Sequence, residues 1–235
     1  MNLTFLPFFT RAVAIALQEH AFLNASVDGD SIVYHPTVNL SLAVDTEKGL
    51  MLPTLRDADS KTIVDHAKGI VDLATKARDG GLKSDEISGG TFSVTNTGSG
   101  GTLFDTPIVP SPQVGILATC AIVKKPVVVK GPDGEDVISV RPMCYLPLAY
   151  DHRIVDGADA ARFLQTVKRI IEAGEFESEP RPVSTHAPRH RWLVRPHRHC
   201  FAAVVEVGRP RCRLAGPPRG ARTTGVCLGS PGRHR

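Results

Sequence analysis

The run Tyr150-Asp151-His152-Arg153-Ile154-Val155-Asp156-Gly157 holds the residue types best suited to proton transfer. His152 precedes Asp156 by four positions, between an apolar run and a segment with helical periodicity. An imidazole changes charge near neutral pH, so it can take a proton from a thiol or a hydroxyl. A carboxylate one short turn away can orient the ring or brace the loop, and the sequence leaves both roles open. A structural reading competes: Asp156-Gly157-Ala158-Asp159 has the pattern of a helix start, with Asp156 as its cap. Two other motifs carry less. The glycine-rich stretch Asn96 to Gly101 lacks the Gly-Lys-Ser/Thr ending of a phosphate loop. His197-Arg198-His199-Cys200 has no paired Cys-x-x-Cys beside it, so no metal site is expected.

The flanking elements must position that histidine. Apolar residues recur at helical spacing from Phe5 to His20, with Pro7 in the first turn and Arg11 on the polar side. Ala25–Val27, Ser31–His35 and Val38–Val44 read as strands, with Asp28-Gly29-Asp30 as a hairpin turn. A second helix is expected over Lys61–Arg78, capped by Asp59 or Ser60. Its apolar face is read as Ile63, Val64, Ala67, Ile70, Val71 and Ala74, and Gly80-Gly81 ends it. Thr91–Thr95 is a β-branched strand running into the glycine loop, whose glycines permit close backbone approach. Val114–Ala121, Pro126–Lys130, Val137–Arg141 and Met143–Tyr150 follow as strands, the last delivering His152. Ala158–Ile171 is the final helix.

The 235 residues divide near position 180. The first part nets −7, whereas residues 181–235 hold twelve arginines, no lysine and one acid, Glu206, for +11. Periodicity fades there, and only Phe201–Val207 looks like a strand. Arginine without lysine beside proline and glycine is what a GC-rich gene yields in the wrong frame. The tail, residues 178–235, is therefore read as a frame error or an unrelated extension, largely disordered. Without interleaved aromatics it offers no specific nucleic-acid site. Five cysteines without a framework spacing suggest free thiols in a reducing compartment, the cytoplasm. No apolar stretch reaches the ~20 residues of a membrane helix.

Leu146-Pro-Leu-Ala-Tyr-Asp-His-Arg-Ile-Val-Asp-Gly-Ala-Asp-Ala-Ala-Arg-Phe-Leu164 resembles the signature of the dihydrolipoamide acyltransferase component of 2-oxo acid dehydrogenase complexes. Further blocks resemble the family in the same order: Leu3 to Phe9, Asn24 to Val27, Val44 to Leu50, Gly89 to Asn96, and Thr106 to Gln113. Thr95 to Ser99 with Leu103 to Pro107 is similar to actinobacterial members that serve the 2-oxoglutarate complex. The resemblance implies an α/β domain over residues 1–177: a chloramphenicol acetyltransferase-like mixed sheet flanked by helices. It implies transfer of an acyl group, succinyl by the closest wording, between a dihydrolipoyl sulfur and coenzyme A. His152 would be the base and Thr95 the hydroxyl donor to the oxyanion, with Asp156 an orienting or structural partner. Asp45, Asn96 and Ser99 would line the channel for coenzyme A and lipoamide. Trimers and larger cores are implied, with the histidine of one subunit facing the hydroxyl of its neighbour. The implied partners are the 2-oxo acid dehydrogenase and dihydrolipoamide dehydrogenase components and a lipoyl domain, the lipoamide arriving on another domain or chain.

The resemblance begins inside the family's catalytic domain. Its first helix and strand, an arginine that contacts coenzyme A, and the lipoyl domain have no counterpart here. That departure supports a competing reading, a non-catalytic core subunit or inactive fragment; the intact histidine motif opposes it.

Overall fold

The structure, a computed structural model, describes residues 4–174 and Phe176, with the backbone of residues 198–206. Helix α1 (Leu6–Glu19) begins with a proline in its first turn, where a missing N–H costs nothing. A hairpin of β1 (Ala25–Asp28) and β2 (Ser31–Tyr34) follows, turning at Gly29 with φ 57°. Next come β3 (Leu40–Leu42), the small pair β4 (Val44–Thr46) and β5 (Gly49–Met51), and β6 (Thr54–Leu55). Helix α2 (Ile63–Asp79) leads to β7 (Phe92–Asn96), β8 (Gly115–Thr119), β9 (Val123–Lys130) and β10 (Asp136–Asp151). Helix α3 (Gly157–Ala173) and β11 (Arg198–Glu206) complete the described elements.

The main sheet is mixed, as expected. Its order is β11-β10-β8-β7-β3-β6, with β9 on the free part of β10. Strands β3, β7 and β8 run parallel, and β6, β9, β10 and β11 pair antiparallel to their neighbours. Side chains alternate between the faces of a strand. One face carries Leu40, Leu42, Phe92, Val94, Leu117, Leu146, Leu148 and Tyr150, which form one core with the helices. The opposite face carries Ser41 and Ser93 in register, with Ile116 and Ala149 beyond them.

Several sequence expectations are corrected. Val137–Arg141 and Met143–Tyr150 are one strand, β10. Pro142 does not break it, because β8 and β11 join only further along and the second edge of β10 is open there. The cap of α2 is Thr62, not Asp59 or Ser60; its hydroxyl accepts from Asp65 N, and the Asp65 carboxylate accepts from Thr62 N in return. Of the expected face of α2, Ala67 is buried and Ile63 and Ile70 pack against the core, but Val64 and Val71 are exposed, and His66, Leu73 and Ala77 are buried in addition. Arg11 is buried rather than polar-facing, because α1 is enclosed by both other helices and the sheet, and its Nη1 donates to Asp59 O at 2.7 Å. The strand read at Phe201–Val207 is found as β11. The remaining tail expectations lie outside the described residues. Among the described residues no helix is long and apolar enough to cross a membrane.

His66 accounts for the shifted face of α2. Its ring is fully buried, with Nε2 2.9 Å from Ala58 O and Nδ1 2.9 Å from Thr10 Oγ1. Burial pushes this imidazole from 6.5 down to about 4. Below pH 6.5 the unfolded chain takes up a proton that the folded chain refuses. Stability present at neutral pH is therefore lost as pH falls from 6.5 towards 4. Denaturant unfolding at pH 8 and pH 5 is expected to differ by about 2 kcal/mol from this group. Burial shifts His20 and His35 the same way, so the measurement is the part of that difference removed by His66→Gln. An undiminished pH dependence in the variant would reject the assignment.

Candidate active site

Strand β10 ends at Asp151, whose N–H donates to Val114 O at 2.8 Å. The chain then turns through His152 and Arg153, and the N–H groups of Ile154 and Val155 both donate to Asp151 O at 3.1 Å. His152 is half-buried on that turn, its ring 5.7 Å from the buried Tyr150 ring. Asp156 caps α3, its carboxylate accepting from Asp159 N at 2.8 Å. That bond holds the Asp156 carboxyl below the usual carboxylate range. The helix-start reading of Asp156 thus describes the structure, and the residue governs where α3 begins behind the histidine turn.

Thr95 lies elsewhere. It is paired with Ala118 near the C-terminal ends of β7 and β8. Strand alternation puts its side chain on the face of Ser93, away from the helices. Asp151 is level with Val114 and Thr95 with Ala118. Four residues of β8 separate those levels, about 13 Å at a strand rise of roughly 3.3 Å, and His152 is one residue beyond. The base and the hydroxyl of one chain are therefore at opposite ends of the sheet.

The other expected site residues gather at the Thr95 end. Ala43 N donates to Val94 O at 3.1 Å, which brings β4 and its exposed Asp45 past the end of β7. Asn96 and Ser99 are exposed and bonded to each other: Ser99 N donates to Asn96 Oδ1 at 3.2 Å and Ser99 Oγ to Asn96 O at 3.0 Å. Gly98 is required there, because a Cβ would sit 2.3 Å from the carbonyl atoms of Cys120. At Gly90 a Cβ would fall 1.9 Å from Ser41 Oγ, so that side chain would have to turn away. Ser41 belongs to a buried chain in which Gln113 Nε2 donates to Ser41 Oγ and Ser93 Oγ donates to Gln113 Oε1, at 3.1 and 2.6 Å. The structure thus groups Asp45, Thr95, Asn96 and Ser99 at one end and His152 with Asp156 at the other.

Sequence reasoning passed over Asp151 and Arg153 as individuals. Their signal was a carboxylate and a guanidinium flanking the histidine, spaced to pair across one turn. Cys120 and Cys144 supply no nucleophile. Burial pushes the Cys144 thiol up to about 11 and raises Cys120 as well, and such thiols are inert. Among the described residues no group of three metal-ligating side chains occurs. The arrangement offers a general base at one sheet end and a hydroxyl donor at the other, with the attacking group left to a substrate.

The fold is a mixed sheet flanked by helices that carries a histidine turn at one end. Residues 1–177 match the model of the family described as 2-oxoacid dehydrogenases acyltransferase (catalytic domain), and the chain belongs to that family. It is 52% identical over 181 residues to the dihydrolipoyllysine-residue acetyltransferase component of the pyruvate dehydrogenase complex of Mycobacterium tuberculosis, covering 76% of this chain and 33% of that protein. It is 42% identical over 172 residues to the dihydrolipoyllysine-residue succinyltransferase component of the 2-oxoglutarate dehydrogenase complex of Escherichia coli K12, covering 73% of this chain and 41% of that protein. The chain thus spans between a third and two-fifths of these relatives. A probable dihydrolipoamide acetyltransferase from Listeria monocytogenes superposes with a TM-score of 0.70 at 40% identity, over 77% of this chain and 75% of that one. The Azotobacter vinelandii dihydrolipoamide acetyltransferase superposes with a TM-score of 0.67 at 35% identity, over 72% of this chain and 68% of that one. That crystal structure concerns the roles of a serine, a histidine and an asparagine in the catalytic mechanism of the Azotobacter protein.

Proposed function

We propose that this domain transfers an acyl group between a dihydrolipoyl sulfur and the thiol of coenzyme A. The observation that carries the reading is the His152 turn, an imidazole half-exposed at a sheet end in a chain of this family. A free thiol titrates near ~8.5, so only about a few per cent is thiolate at pH 7. His152 takes the proton from the coenzyme A thiol, and the sulfur attacks the thioester carbonyl. The carbonyl oxygen gathers negative charge and accepts a hydrogen bond from the Thr95 hydroxyl. Collapse expels the dihydrolipoyl sulfur, which recovers the proton from the His152 imidazolium. Atoms and charge balance without a metal or a redox step.

Because His152 and Thr95 stand at opposite ends of one sheet, the reaction requires a second copy of the chain. The cubic core structure of a pyruvate dehydrogenase complex among the neighbours supports assembly of this kind. The dehydrogenase components and the lipoyl domain of such a complex are the partners this reading implies, and the reducing cytoplasm is its compartment. Asp45, Asn96 and Ser99 are proposed to line the entrance on the Thr95 side. The identity of 52% to acetyl-transferring relatives, against 42 to 47% to succinyl-transferring ones, supports acetyl over the succinyl group expected from the loop wording.

The test is acyl exchange between free dihydrolipoamide and acetyl- or succinyl-coenzyme A. His152→Ala is expected to lower kcat by about 10²- to 10⁴-fold, and Thr95→Val by about 10²- to 10³-fold. Equal rates in wild type and His152→Ala would transfer the assignment to a non-catalytic core subunit.

A further inference from the structure

We propose that Asp151 and Arg153 are positioning residues that set the orientation of the His152 imidazole. The proposal rests on the reading of His152 as the base. A turn carrying a base at its apex has no ladder of backbone bonds to hold it. Here Asp151 closes it. Asp151 is pinned to Val114 O, just before β8, and its own carbonyl accepts from Ile154 N and Val155 N. Its carboxylate turns back over the apex to accept from Arg153 N at 3.0 Å, from Arg153 Nε at 2.9 Å to each oxygen, and from Nη2 at 2.5 Å. Residues 151, 153, 154 and 155 are therefore tied into one ring of bonds, with His152 as the member it presents.

The pair is unlike an ordinary surface ion pair. It is bidentate, it includes a backbone N–H, and it joins an Arg153 side chain 37% exposed to an Asp151 side chain 15% exposed. The buried Tyr150 ring stands behind the imidazole, tilted 36° to it. Asp156 does different work, since its carboxylate is engaged by the first turn of α3. The carboxylate that braces the histidine turn is thus Asp151, one residue before the base rather than four after it. Partly exposed pairs contribute little to global stability, whereas a displacement of about 1 Å at a reacting group can lower rate about 100-fold. The pair should therefore affect turnover far more than folding.

Asp151→Asn, Arg153→Gln and the double variant are to be compared in the full chain. Expected is a fall in kcat of about 10- to 100-fold, with KM for coenzyme A within about twofold and the unfolding midpoint nearly unchanged. The double variant should be no slower than the worse single variant, since one geometry is lost once. Arg153→Lys, which keeps a donor but not the fork, should recover part of the rate. Wild-type kcat in Asp151→Asn, or loss in step with the unfolding midpoint, would overturn the proposal. Three-bond couplings of the His152 side chain give a readout independent of turnover. One rotamer is expected in wild type and averaging in Asp151→Asn. A wild-type chain that transfers no acyl group yet shows this change would defeat the functional reading and uphold the positioning role. Averaging already present in wild type would defeat the positioning role.

Discussion

Co-expressed His152→Ala and Thr95→Ala chains are expected to recover activity that neither has alone. On the proposed mechanism each variant by itself lacks either the base or the oxyanion donor at every site. If a site draws His152 from one copy and Thr95 from the next around a closed ring, mixed assemblies contain some sites with both residues intact. Random mixing in equal amounts makes a site whole when both contributing chains happen to be intact at the required position. That gives about a quarter of wild-type activity for such head-to-tail sites. The physical reason is the register of the sheet. Asp151 N–H is bound to Val114 O and Thr95 is paired with Ala118, so no side-chain rotation joins the two groups within one chain. Zero recovery in mixtures shown to contain both chains in one particle would mean that the site is assembled otherwise. Dilution to a size at which the particle dissociates should abolish activity for the same reason.

Phe163→Ala is expected to cost about 3–5 kcal/mol, a large share of the ~5–15 kcal/mol that typically holds a domain folded. Phe163 is fully buried in α3. Its ring lies 5.8 Å from Phe92 on β7 and 5.9 Å from His20, which meets it edge-on at the end of α1. It thus joins the helix that starts at the histidine turn, the strand that carries Thr95, and the central helix. Truncation leaves a void that the enclosed α1 cannot move to fill, which is why the cost falls in the upper part of the range for large-to-small changes. The denaturation midpoint of Phe163→Ala against wild type measures it. Ile138→Ser is the control, because Ile138 is 79% exposed on the β9–β10 ribbon and such a change should stay within about 0.5 kcal/mol. Equal losses at the two sites would show that this core is not where the stability resides.

Local signals in the chain matched the structure wherever the determinant was itself local. The proline in the first turn of α1, the glycine that ends α2 at φ 73°, and the Asp28–Asp30 turn each act on a few consecutive residues. The Asp156 cap is of the same kind, since a side chain three positions from its donor needs no tertiary partner. Errors fell where a distant segment decided. On α2, Val64 and Val71 turn outward because His66 is satisfied inside by Ala58 and Thr10 rather than by water. A polar residue therefore took a place that periodicity assigns to Val64 or Val71. Arg11 stands apart from the apolar positions of its helix yet is buried, because Asp59 O comes within 2.7 Å of its guanidinium, a contact no neighbouring residue in the sequence shows.

The same division holds for the site. The order of residues alone determined which groups can do chemistry: an imidazole on a turn before a capped helix, and a hydroxyl at a strand end before a glycine loop. Only the tertiary structure decided that they face apart, because parallel pairing of β7 with β8 and antiparallel pairing of β8 with β10 set their levels through hydrogen bonds between segments far apart in the chain. A strand's register is a property of two strands, and neither carries it alone.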